Sequence, residues 1–122
     1  MNREIAQRIL IIEADPDVRE MLRDYLKIKG YTVDCTGNGA DGISMHIEKS
    51  FDLIITNLML SDVEGSEILV KLRQLSDTKI IATSCLVGGL EMAGRMGADR
   101  TFAMPLNVRE LEQAAVELLA EK

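Results

Sequence analysis

The chain has 122 residues, 47% apolar and 28% charged, which is enough for one buried core and too little for two. No apolar run approaches the ~20 residues needed to cross a bilayer, and MNREIAQR leads into no signal-peptide core or cleavage site. A net charge of -6 without a basic stripe opposes attraction to phosphate backbones. The expectation is a single cytoplasmic domain over 1–122, with no membrane contact and no direct nucleic-acid binding by this segment.

Arg8-ILII-Glu13 opens the chain as a short, almost wholly apolar run, suited to a strand buried on both faces. Asp15-Pro16 then starts a helix, because Asp15 can cap free backbone amides and Pro16 fits the first helical turn. Val18, Met21, Leu22, Tyr25 and Leu26 keep one face apolar up to Gly30, a natural stop. The unit repeats as strand Tyr31 to Cys35, helix Ala40 to Lys49, strand Asp52 to Thr56 and helix Glu64 to Leu75. Strand Lys79 to Ser84 follows, with a weak helix within Val87 to Met96, where Gly88, Gly89 and Gly94 are poor helix formers. Strand Arg100 to Ala103 and helix Asn107 to Glu121 finish the pattern, with Asn107 and Glu110 spaced as a capping box. Leu111, Ala114, Ala115, Leu118 and Leu119 form the buried face of this last helix.

Strands alternating with helices require right-handed crossovers, and hence a parallel sheet covered on both sides. The expected fold is α/β, a flavodoxin-like (βα)5 doubly wound five-stranded parallel sheet. In such a sheet chemistry collects beyond the carboxyl ends of the strands, where strand order reverses. The positions to inspect are Glu13, Ala14 and Asp15 after the first strand, Asn57 after the third, Ser84 and Cys85 after the fourth, and Met104-Pro105 after the fifth.

Those positions carry a resemblance. FDLIITNLMLSDVEG, with ILIIEADPDVREML, YTVDCTGNGADGI and GADRTFAMPL, resembles the response-regulator receiver domain of two-component phosphorelay signalling over nearly the whole chain. In that family the third strand ends on an aspartate that accepts a phosphoryl group from a histidine kinase. Here the position is Asn57, and an amide is not a carboxylate nucleophile. The family's acidic pair, which helps hold magnesium, reads Glu13-Ala14, and its lysine before the proline reads Met104. The resemblance therefore implies a degenerate pseudo-receiver: no enzyme, no cofactor, and a magnesium site that is lost because too few carboxylates remain. A single engineered Asp-to-Asn exchange would not also produce Ala14 and Met104.

The family's switch couples a hydroxyl residue after the fourth strand to an aromatic residue in the fifth; here these are Ser84 and Thr101, with Phe102 beside Thr101. The Met104-Pro105 bond is expected to be cis on the same resemblance. Partner recognition is expected at the face from the fourth helix to the fifth, through Leu90, Arg95 and Arg109. The partner is a protein such as a histidine kinase or an output domain, and a homodimer stays open. The alternatives are an active receiver that uses another carboxylate, Glu13, Asp15 or Asp62, and a small-molecule-binding flavodoxin-like protein.

Other signals have plainer explanations. Gly37-Asn38-Gly39-Ala40-Asp41-Gly42 fits G-x-G-x-x-G, but it follows the second strand and reads better as a turn and helix start. His46 is expected at a solvated helix position and the seven methionines in the core. Cys35 and Cys85 follow no metal spacing and are expected to be small buried thiols. Ser84 beside Cys85 has no histidine placed to activate it, so a structural hydroxyl is expected.

Overall fold

β1 (Arg8–Ile12) is buried at every residue but its first. A strand in that position has helices against both faces, which is why it reads as an unbroken apolar run. The computed structural model describes residues 6–59, 65–85 and 88–121. Asp62, the start of the third helix at Glu64, Val87 and Lys122 lie outside the described residues.

The remaining elements are α1 (Pro16–Ile28), β2 (Thr32–Thr36), α2 (Gly39–Lys49), β3 (Leu53–Asn57), α3 (Gly65–Leu75), β4 (Lys79–Ser84), α4 (Gly89–Arg95), β5 (Arg100–Ala103) and α5 (Val108–Ala120). The five strands form one sheet in the order β2-β1-β3-β4-β5, every neighbouring pair parallel. Most boundaries fall within a residue of the sequence reading.

Local chemistry sets the helix starts. Asp15 Oδ1 accepts from Asp17 N at 2.9 Å, with Pro16 in the first turn of α1. Asn38 Oδ1 accepts from Asp41 N at 2.9 Å, so the glycine-rich hexapeptide is the turn and cap of α2. Asn107 Oδ1 accepts from Arg109 N at 3.1 Å and Glu110 N at 3.2 Å, capping α5. Each cap satisfies amides that would otherwise lack partners, and contributes about 1 kcal/mol. α4 starts from Gly88 at φ 86° with no side-chain cap and runs only seven residues.

Alternation along the strands separates two cores. Ile9, Ile11, Val33, Leu53, Ile55 and Ile81 face α1 and α5, where Leu22, Leu26, Leu111 and Leu118 meet them. Leu10, Ile12, Ile54, Ile80 and Ala82 face α2, α3 and α4, packing on Ile68, Leu69, Leu72 and Ala93. Each fully buried leucine or isoleucine contributes about 1.5–3 kcal/mol, so these layers hold the strand ends in fixed register. At Gly42 an added Cβ would stand 2.5 Å from Ile12 Cδ1, so glycine is what lets α2 approach β1.

Three expectations about burial are corrected. His46 is 5% exposed, because the end of α2 packs it against Phe51 and the α3–β4 turn. Cys85 is exposed beyond the end of β4, whereas Cys35 is half-buried and packs on the core from its edge. Met21, Met59 and Met92 are exposed, while Met45 and Met96 pack on the core from its edge. Met21 sits on the rim of the α1 apolar face, where a flexible chain lies along the surface rather than under it.

Candidate functional site

The strand order reverses between β1 and β3, so the loops following them enclose a crevice. The main chain leaves β1 into Glu13, whose side chain is only 3% exposed. A carboxylate so placed needs hydrogen-bond donors. Glu13 Oε1 accepts from Asn57 Nδ2 at 2.8 Å, and Oε2 accepts from Asp15 N at 3.0 Å. Asn57 is equally engaged on its other side, since its Oδ1 accepts from Met59 N at 2.9 Å. These partners fix the amide's orientation, because only the nitrogen can donate to Glu13 and only the oxygen can accept from an N–H. The Asn57 side chain thus braces the β1–α1 loop against the β3–α3 loop.

Arg19 supports the same loop from α1. Its Nη1 donates to Glu13 O at 2.8 Å and to Ala14 O at 3.4 Å. Gly37 makes room for this guanidinium, since a Cβ there would lie 2.5 Å from Nη1. Ala14 is half-buried and offers only its backbone oxygen, and the exposed Asp15 carboxylate caps α1 through Oδ1.

The other wall comes from β4 and β5. Ser84 is 1% exposed, and its carbonyl accepts from Met104 N at 3.0 Å, tying the end of β4 to the loop after β5. The Met104-Pro105 peptide is cis, as expected. The Cys85 thiol lies 3.0 Å from the Met59 sulfur at the rim. β5 registers Ala82 with Thr101, Thr83 with Phe102 and Ser84 with Ala103. Thr101 and Phe102 therefore face opposite sides of the sheet, and Phe102 packs into the core under α1 and α5. The aromatic ring of β5 is thus committed inward, one residue from the switch-equivalent position.

The structure brings Glu13, Asn57 and the backbone of Asp15 into direct contact, and joins Ser84 to Met104 through the main chain. It does not bring the side chain of Asp15 into the pocket. Arg95 and Arg109 are exposed as expected, whereas Leu90 is half-buried. Arg95 is paired with Glu91 at 2.8 Å. Sequence reasoning missed Arg19 and Met59. The spacing of Arg19 from Glu13 carries no motif, and Met59 enters through its backbone N–H, which residue identity does not reveal. It also missed the His46 pole, where burial lowers the imidazole pKa from the usual 6.5.

The five-strand order, the two helical layers and the crevice at the strand reversal define a doubly wound α/β domain of the flavodoxin-like type. The chain belongs to the response regulator receiver domain family, whose model matches residues 9–116. Among curated proteins it is 34% identical over 110 residues to the response regulator ArlR of Staphylococcus aureus, covering 85% of this chain and 48% of that one. It is 29% identical over 116 residues to the transcriptional regulatory protein ResD of Bacillus subtilis, covering 91% and 47%. The chain thus spans about half the length of these relatives. Among solved structures, a two-component response regulator from Clostridium difficile superposes with a TM-score of 0.88 at 27% identity, covering 93% of this chain and 95% of that one. A CheY-like receiver domain protein from Methanospirillum hungatei gives a TM-score of 0.87 at 28% identity, covering 94% of both.

Proposed function

We propose that this receiver domain is a pseudo-receiver, which signals by protein–protein contact in the conformation it already has and takes no phosphoryl group. The observation that carries this reading is the Asn57 brace, with Nδ2 on Glu13 at 2.8 Å and Oδ1 on Met59 N at 2.9 Å. An amide has no anionic oxygen with which to attack a phosphoryl donor. Both of its polar ends are already used to hold two loops together. A ligand shifts an equilibrium only by its differential affinity for two states, and a phosphoryl group that does not attach has none.

The donor set does not fit magnesium. That ion favours octahedral oxygen donors and is held by carboxylate charge. Among the described residues the pocket offers one buried carboxylate, both of whose oxygens already accept hydrogen bonds, and the alanine beside it supplies no side-chain oxygen. Met104 in place of the family's lysine agrees with this, because a cation there would have lost its anionic partners. The domain is read as non-enzymatic, with a histidine kinase or an output domain as the class of partner. Arg109 and the surface around α4 supply the contact.

Amide-resolved NMR tests the reading. Acetyl phosphate with millimolar magnesium is expected to leave the resonances of Asn57, Ser84, Thr101 and Met104 in place. Saturable shifts converging on those residues would overturn it.

A further inference from the structure

His46 is the chain's sole histidine, and it lies at the pole of the sheet opposite the pocket, where β3 and β4 begin. Its ring stacks with Phe51 at a centroid distance of 6.1 Å. The Phe51 N–H donates to His46 Nδ1 at 3.2 Å. Nδ1 is therefore the bare nitrogen of a neutral ring, and the proton sits on Nε2. Nε2 is 2.9 Å from Ser76 Oγ and 3.4 Å from Thr78 Oγ1. Ser76 donates on to Thr78 Oγ1 at 3.0 Å, and Thr78 donates to Phe51 O at 3.1 Å. The circuit begins and ends on the peptide groups of one residue. Its tautomer also rules out a nucleophilic Ser76, because Nε2 gives a proton there and accepts none.

We propose that this circuit is a proton-sensitive lock, closed by neutral His46 and opened when the ring takes a second proton. That proton must occupy Nδ1, where it meets the Phe51 N–H donor to donor, so the bond that closes the circuit is lost. Among the described residues the last turn of α2 and the Ser76 oxygen favour the imidazolium, but no charged partner does, and burial opposes it. Arg8 lies over the Phe51 ring at 5.4 Å, and Arg73 donates to Thr78 O. Lys49 is paired with Asp34, and Lys79 with Glu121. Of the nearby acids, Asp52 accepts from Arg8 N, while Glu48 and Asp77 are exposed. Among the described residues no carboxylate is hydrogen-bonded to the ring.

A second observation places the released strain. Ser50, between His46 and Phe51, has φ 58° and ψ 128°, and its N–H donates to His46 O at 2.9 Å. A non-glycine residue keeps such a backbone only where its surroundings over-determine it. Opening the circuit loosens the packing around Ser50, which lines a cleft of about 240 Å³ with His46, Ile47, Leu75, Ser76 and Thr78. Burial already lowers the ring's pKa below 6.5 in the folded state. The unfolded chain therefore binds the proton first. Stability is complete above about pH 6.5 and drains as pH falls through the lower folded value.

Because no other histidine interferes, NMR titration of the imidazole Cε1–H reads the lock directly. One transition below 6.5 is expected, with the Phe51 amide shift moving at the same midpoint. Protection of that amide from exchange, corrected for intrinsic rate, should fall about tenfold or more across the transition. His46→Asn keeps an acceptor near Nδ1 without a titrating group and should abolish the pH dependence. Ser76→Ala removes an acceptor of the Nε2–H that the imidazolium uses more strongly than the neutral ring, and should lower the midpoint further. A wild-type midpoint at or above 6.5, a Phe51 amide indifferent to the titration, or a midpoint in Ser76→Ala that does not fall would each overturn the proposal.

Discussion

Asn57→Asp, the substitution that formally restores the family's phosphoacceptor, is expected to destabilise this protein. The Nδ2 donor now 2.8 Å from Glu13 Oε1 becomes an oxygen, so the mutant sets two carboxylates in contact at a site where Glu13 is 3% exposed. Losing a hydrogen bond to a charged group removes about 1.5–3 kcal/mol. Two like charges about 4 Å apart add up to about 4 kcal/mol at an effective dielectric near 20, before rotation and water entry relieve part of it. The net cost at neutral pH, without divalent ions, is therefore about 3 kcal/mol, a large part of the ~5–15 kcal/mol that holds a domain folded. Urea unfolding in the presence of a chelator measures it. The pH dependence gives a second signature: two carboxyls in contact share one proton, so the mutant should recover relative to wild type as the solution is acidified below neutrality. A mutant within about 0.5 kcal/mol of wild type at neutral pH, the spread of ordinary surface changes, would refute the brace.

Two further positions, Arg73 and Gly42, probe how the helices are held against the sheet. Arg73 bonds through Nε and Nη2 to Gly97 O, through Nη1 to Thr78 O and through Nη2 to Asp99, so Arg73→Ala should cost about 2–3 kcal/mol in chemical denaturation. Arg73→Lys should recover less than half of that, because an ammonium cannot reproduce the fork; full recovery would contradict the assignment. Gly42→Ala should cost about 1–3 kcal/mol from overpacking. Combining it with Ile12→Val, which trims the side chain whose Cδ1 would stand 2.5 Å from the new methyl, should cost less than the two single changes summed.

The fold was legible because its signals are local and repeated. β1 and β4 read as buried strands from their apolar runs, and Asp15 and Asn107 marked helix starts that their side chains do cap. The positions of the site were legible too, since topology alone sends the residues after β1, β3, β4 and β5 to one edge. What those residues do there was not. That Asn57 bridges Glu13 and Met59 N depends on two loops meeting, and no spacing in the sequence encodes it. His46 shows the same limit from the other side. It sits near the end of an amphipathic helix, a position that reads as solvated, until Phe51 and the α3–β4 turn close over it. Cys85 erred oppositely, because a residue that continues an apolar strand by one step already lies outside the sheet.

Intact-mass measurement of the whole chain, after incubation with acetyl phosphate, magnesium and a panel of histidine kinases, tests phosphorylation independence most directly. The expected spectrum is that of the untreated protein, with Asn57 unmodified and no phosphoryl group on Glu13, Asp15 or Asp62. A stable gain of one phosphoryl group mapped to any acidic residue of this pocket would contradict it.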